Sequence, residues 1–354
     1  MRTFRRELTA TGANLLGRSI ISRFETALIR WRAWWFNKVP LSVTLMLLLL
    51  DDRSFTIDAA WAIVLVVLTI CAVGNYGYAM NELYDIEEDA RAQRANAATL
   101  LGQRRLVVIS VMSAIVAELL AWSAAGMPGA VLTVVEIALP LLYSRPPWRI
   151  KERKWAGVAA DALAAHVYPA ALAMLVVSHW TLRPVTALLA LSLLAWSAAV
   201  GVRGILSHQL HTAERDRQGG LTTVVHDFGA PKLETFITFV LLPIEVAGFI
   251  GAAATCDVGI IFWALSGLYL AYEAFKTFAG GFVVIALRPQ GQPYIPFVEE
   301  SFYKAWGPIV IALDAARVDL RFLVVIPLYW LLFRPHLQNE TIRFRAVGRA
   351  LHQR

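Results

Sequence analysis

The chain has 354 residues, 58% of them hydrophobic and 17% charged, with a formal net charge of +7, and its mean hydropathy is +0.56. Those proportions exclude an ordinary soluble domain, whose charged fraction is about a quarter. The basic residues fall between apolar runs, where membrane orientation and lipid headgroups explain them, so they do not argue for nucleic-acid binding; two cysteines, Cys71 and Cys256, exclude a disulfide framework.

Residues 1–33 read as a basic amphipathic surface segment that ends with Trp31 at the interface, because no apolar core follows the early arginines. Apolar runs long enough to cross roughly 30 Å of hydrocarbon follow near 34–50, 59–80, 106–124, 127–143, 156–178, 184–202, 233–254, 259–287 and 318–334. The expected fold is thus an all-α membrane protein, a bundle of about nine transmembrane helices over 34–334, closed by a basic tail at 335–354. With the N-terminus cytoplasmic, the loops at 81–105, 144–155, 203–232 and 288–317 collect most of the lysines and arginines, while the opposite loops hold only Arg53 and Arg183. The basic tail is discordant, since an odd number of spans places it on the far side.

Function concentrates in three of those loops. The first carries Asn81, Asp85 and Asp89, which recur every four residues and share one helix face. Hard oxygen ligands at that spacing suit Mg²⁺, which keeps part of its shell for phosphate oxygens. The second, Tyr143 to Lys154, breaks at Pro146-Pro147 and then offers Arg149, Lys151 and Arg153 to a diphosphate; headgroup anchoring is the bland alternative. The third contains His208, Gln209, His211, Glu214 and Asp216 before Gly219-Gly220. Asp216 with Glu214 offers a second metal site, and the helical spacing of His208, His211 and Glu214 raises a weaker zinc reading. Within the spans, Glu118, Glu136, Asp161, Glu245, Glu273 and Lys276 are functional candidates by default, because burying charge in lipid is expensive; Asp161 and His166 are candidates for acceptor contact.

These residues resemble the UbiA superfamily of intramembrane prenyltransferases. Asn81, Asp85 and Asp89 match its N-x-x-x-D-x-x-x-D pattern. Tyr143-Ser144 through Lys151 looks like its basic connector after the fourth helix, and Asp216 with Gly220 matches the end of its second aspartate motif. Gln209 and Thr212 stand where that second motif is usually acidic, and Ala97-Ala98 replaces the usual Arg-Pro after the first, with Arg91 and Arg94 nearby. The resemblance implies Mg²⁺ as cofactor, held by Asn81, Asp85 and Asp89 and by Asp216 with Glu214, with Gln209, His211 or His208 as substitutes in the second motif. It implies a prenyl diphosphate bound by Asn81, Arg94, Tyr143, Arg149, Lys151 and Arg153, and catalytic roles for Asp85, Asp89, Lys151 and Asp216. The implied reaction is transfer of an isoprenyl group to an aromatic or lipid-like acceptor. Terpene cyclisation and phosphoribosyl transfer to a lipid phosphate are alternatives within the superfamily; a transporter is the alternative outside it. The implied location is a bacterial cytoplasmic membrane with the active site facing the cytoplasm and no nucleic-acid partner; the acceptor, prenyl length and oligomeric state stay open.

Overall fold

The computed structural model describes residues 28–50, 55–181, 184–218, 220–280, 298–339 and 341. The segment expected at 1–33 and the tail expected at 335–354 lie largely outside them. Among the described residues the regular structure is entirely helical. We number the principal helices α1 (Trp31–Leu50), α2 (Ile57–Tyr84), α3 (Ile86–Arg91), α4 (Ala97–Leu101), α5 (Gln103–Ser144), α6 (Trp155–Thr181), α7 (Ala187–Gln218), α8 (Ala230–Thr255), α9 (Ile260–Gly280), α10 (298–315) and α11 (Leu320–Leu332).

Six of these, α1, α2, α5, α6, α7 and α8, are long and apolar enough to cross a membrane, so the expected count of about nine is not reached on length and composition. The difference has local causes. Helix α5 is 42 residues long and bends at Ala125 and Gly126, where φ of Gly126 is 62°. A residue without a Cβ accepts that conformation readily, so the runs at 106–124 and 127–143 are two arms of one bent helix. The apolar stretches of α9 and α11 are shorter helices, Ile260–Phe275 and Leu320–Leu332.

Two expected loops are largely helix. Helix α7 runs on to Gln218, and Arg203, assigned to a loop on its charge, is fully buried with its guanidinium bonded twice to Glu245 on α8, at 2.6 and 2.9 Å. The charge is tolerated because it is neutralised in place. Close packing of α7 on α8 permits this: a Cβ on Gly248 would come within 2.8 Å of the Ser192 carbonyl. Likewise α10 lies in the expected loop at 288–317, where Lys304 and Pro308 mask an otherwise buried helix.

Helix α1, whose apolar run is short, is buried almost throughout from Val39 to Leu50. It packs on α2, α6 and α10, and Thr44 donates to the Tyr303 carbonyl of α10 at 2.7 Å. The outer faces stay apolar and exposed, as at Val107, Val111, Leu119 and Trp122 on α5, which suits a lipid surround. The ends of α2, α5 and α7 bring the three chemically loaded segments to one end of the bundle.

Candidate active site

The first acidic segment does not form one continuous helix. The backbone breaks at Asp85 (φ −103°, ψ 12°), which ends α2 and precedes α3, although Asp85 N–H still bonds the Asn81 carbonyl at 3.0 Å and Asp89 N–H the Asp85 carbonyl at 2.7 Å. The three motif residues consequently meet different partners. Asn81 Oδ1 accepts from Ser144 at the end of α5, 3.2 Å away. Asp89 Oδ2 accepts from Asn96 at 2.8 Å, and Asn96 also caps α4. Asp85 Oδ1 receives Lys151 Nζ at 2.5 Å.

Lys151 reaches Asp85 because the connector folds back sharply. A cis Pro146-Pro147 bond is followed by Arg149 in the left-handed region (φ 38°, ψ 54°) and a single turn over Ile150–Glu152. That turn lies against Gly157 of α6, where an added Cβ would stand 2.9 Å from the Lys151 carbonyl. The Lys151 ammonium bridges Asp85 and Glu88, the latter at 2.6 Å. Arg149 Nη2 adds a contact to Glu88 at 3.0 Å and lies 4.0 Å from Asp85, while its Nε engages Glu152. Burial pushes the Asp85 carboxyl above the ordinary aspartate range, and the charge and hydrogen bond of Lys151 oppose that rise.

The third segment joins the first through Arg94, whose Nη2 lies 3.0 Å from Asp216 Oδ1. Thr212, in a position that is acidic in the resembled motif, donates to Asp216 Oδ2 at 2.6 Å. Gln209 is buried on the same face two turns earlier, with its Oε1 lacking a hydrogen-bond partner. Glu214 is not brought to Asp216: it is exposed and held by Arg217 at 2.9 Å and by Gln218 at 3.2 Å. Arg153 is exposed as well. As the side chains stand, no three His, Cys, Asp or Glu among the described residues form a metal-holding group, either at His208, His211 and Glu214 or at Asp85, Glu88 and Asp89, where Lys151 lies between the first two carboxylates.

Beneath this polar end lies a cavity of about 740 Å³ bordered by Asn81, Tyr143, His208 and His211, and deeper by Glu136 and Lys38. Its size falls in the range of small-molecule sites, roughly 300–1,000 Å³. Asp85 is one turn beyond Asn81, so the acid–base cluster stands at the cavity's polar end. Glu88 and Asn96 are members of the site that motif spacing overlooked. The signal for Glu88 was its i+3 position after Asp85, which the four-residue periodicity masked.

The sequence model of the UbiA prenyltransferase family matches residues 40–280. A search of curated protein sequences gives no match. Among solved structures, a UbiA homolog from Archaeoglobus fulgidus bound to GPP and Mg²⁺ superposes with a TM-score of 0.56 at 18% identity, covering 85% of this chain and 98% of that one. The same homolog bound to DMAPP and Mg²⁺ gives the same figures. A structure described as giving insights into the biosynthesis of digeranylgeranylglyceryl phosphate synthase in membranes matches at 15% identity and TM-score 0.51, covering 90% of this chain and 99% of that one. At these identities the structural likeness establishes a common fold.

Proposed function

Because the chain belongs to the UbiA prenyltransferase family, we propose that it transfers an isoprenyl group from a prenyl diphosphate to an acceptor inside the bilayer, in a Mg²⁺-dependent reaction. The observation that carries this reading is the meeting of Asp85, Glu88 and Asp216 with Lys151, Arg149 and Arg94 at one end of a membrane cavity. Acids alone would suit a cation site and bases alone a headgroup anchor. Both together suit a metal–diphosphate, which presents both signs of charge.

In this reading Asn81, Asp85, Glu88 and Asp89 hold one Mg²⁺, and Asp216 with the unpartnered Gln209 oxygen holds a second, Gln209 taking the place expected of Glu214. These hard oxygen donors are of the type Mg²⁺ takes, and the ion would replace Lys151 between Asp85 and Glu88. When bound, Mg²⁺ neutralises charge growing on the departing diphosphate. Lys151, Arg149 and Arg94 add charge-assisted hydrogen bonds to its oxygens. The prenyl chain lies in the cavity, where the rings of Trp34, Tyr78, Tyr143 and Tyr168 form part of the wall, excluding water and offering ring faces to an allylic cation. The bond from C1 to the diphosphate oxygen breaks, its electron pair leaves with the diphosphate, and the acceptor's electron pair joins C1 as its proton departs. The excess of lysine and arginine at this end supports a cytoplasmic-facing site.

The test is diphosphate release by the detergent-purified protein with geranyl, farnesyl and geranylgeranyl diphosphates, with and without Mg²⁺, in the presence of membrane-lipid and aromatic extracts. The archaeal homolog's complex with GPP supports starting from the ten-carbon donor. Mg²⁺-dependent release that disappears in Asp85→Ala is expected, and product analysis separates transfer from cyclisation. A folded protein that releases no diphosphate from any donor in any extract refutes the proposal.

A further inference from the structure

The deep wall of the cavity is not what a purely hydrocarbon tail requires. Glu136 lines it and is 2% exposed. Its Oε2 has no hydrogen-bond partner, and no hydrogen bond or ion pair of Glu136 occurs among the described residues. The neighbouring charge that acts on it is Asp161, of the same sign and lining the same cavity. An unsatisfied carboxyl group at this depth is costly, so its retention calls for a group that donates to it. Glu136 lies eight residues before Ser144 on α5, about 12 Å below the level at which Ser144 meets Asn81. That is too far for contact with the diphosphate and suits the far end of a compact molecule whose near end meets C1.

We propose that Glu136 is a specificity-determining residue of the acceptor subsite, accepting a hydrogen bond from a hydroxyl or amine at the end of the acceptor remote from the reacting atom. The acceptor is then a compact molecule with a polar distal group, because the methyl end of a long-chain lipid would leave the carboxylate unsatisfied. This rests on the prenyl-transfer reading above.

The experiment measures binding of two probe phenols to the full chain with Mg²⁺ and geranyl thiolodiphosphate, a donor analogue that does not ionise. The probes are 4-(3-hydroxypropyl)phenol and 4-butylphenol, which differ only in a terminal hydroxyl or methyl group. We expect the hydroxylated probe to bind about tenfold more tightly to the unaltered protein, and the difference to vanish in Glu136→Leu while donor-analogue affinity is unchanged. Glu136→Gln, whose amide oxygen still accepts, retains part of the preference and covers the case in which Glu136→Leu does not fold. Equal binding of the two probes, or a preference that survives in Glu136→Leu, overturns the proposal. Failure of the donor analogue itself to bind is a separate result and counts against prenyl transfer.

Discussion

Replacing Lys151 with methionine isolates the charge at the centre of the site. The change keeps the bulk of the stem and removes an ammonium 2.5 Å from Asp85 and 2.6 Å from Glu88. The three side chains are 5%, 7% and 10% exposed, so solvent screens their interaction little. Breaking a buried pair by deleting one partner costs about 3–5 kcal/mol, because the charge left behind is uncompensated. Arg149 remains 3.0 Å from Glu88 but 4.0 Å from Asp85, so it retains part of the compensation, and a loss of about 2–3 kcal/mol is expected. The assay is denaturant titration of the detergent-purified protein without substrate, read by tryptophan fluorescence, on Lys151→Met, Glu88→Gln and the double variant. If the loss comes from unpaired carboxylate charge, Glu88→Gln in the Lys151→Met background restores about 1 kcal/mol or more. A Lys151→Met protein as stable as the parent, or strictly additive effects, refutes the electrostatic reasoning. With a donor present, the same variant is expected to raise KM by about ten- to a hundredfold, the equivalent of one charge-assisted hydrogen bond.

Other expectations follow from separate features. Glu245→Gln removes the carboxylate charge that meets the fully buried Arg203 guanidinium at 2.6 Å and is expected to cost about 2–4 kcal/mol of stability in the same titration; a variant as stable as the parent contradicts the electrostatic role of the pair. Gly157→Ala pushes a methyl against the Lys151 and Ile150 carbonyls and should raise KM for the prenyl diphosphate by displacing the connector, measurable in steady-state kinetics. An unchanged KM there would mean that the connector's position does not depend on this contact. Arg94→Ala frees Asp216 from its link to the first acidic segment, so diphosphate release should require more Mg²⁺ or fall altogether; a superimposable Mg²⁺ titration argues against the two segments working together.

Much of this was legible from residue order alone. Apolar run length marks the six helices long enough to cross a membrane, and polar clustering marks the end of the bundle where the candidate cluster gathers, because both depend on local composition. Two departures from the expected loops share one physical cause: charge or polarity met by a partner distant in sequence. Arg203 reads as a loop residue until Glu245, 42 positions away, is placed beside it. Helix α10 reads as a loop because Lys304 interrupts it, yet Lys304 is buried near Asn37 of α1. Glu214 has a local cause instead: proximity in sequence suggests a ligand beside Asp216, while the geometry turns it to Arg217, one helical turn on. Glu88 falls outside a four-residue periodicity that runs through Asp85, where the helix breaks.

The central position of α1 bears on how the chain is made. This helix leaves the ribosome before every other membrane segment described here, yet its neighbours include α10, the tenth helix of the series. Its final contacts are with the end of the chain: Thr44 with Tyr303, Trp35 with the Leu332 carbonyl at 3.4 Å, and His336 with the Phe36 carbonyl at 2.8 Å. During synthesis α1 must therefore wait in the bilayer with one flank facing lipid or an insertion factor until roughly 250 more residues have emerged, the non-local kind of contact that makes assembly slow. Lys38 of α1 and Lys304 of α10 both border the large cavity, so its wall is complete only after α10 has been made, and a ribosome stalled before α10 leaves a membrane-inserted chain with that cavity open.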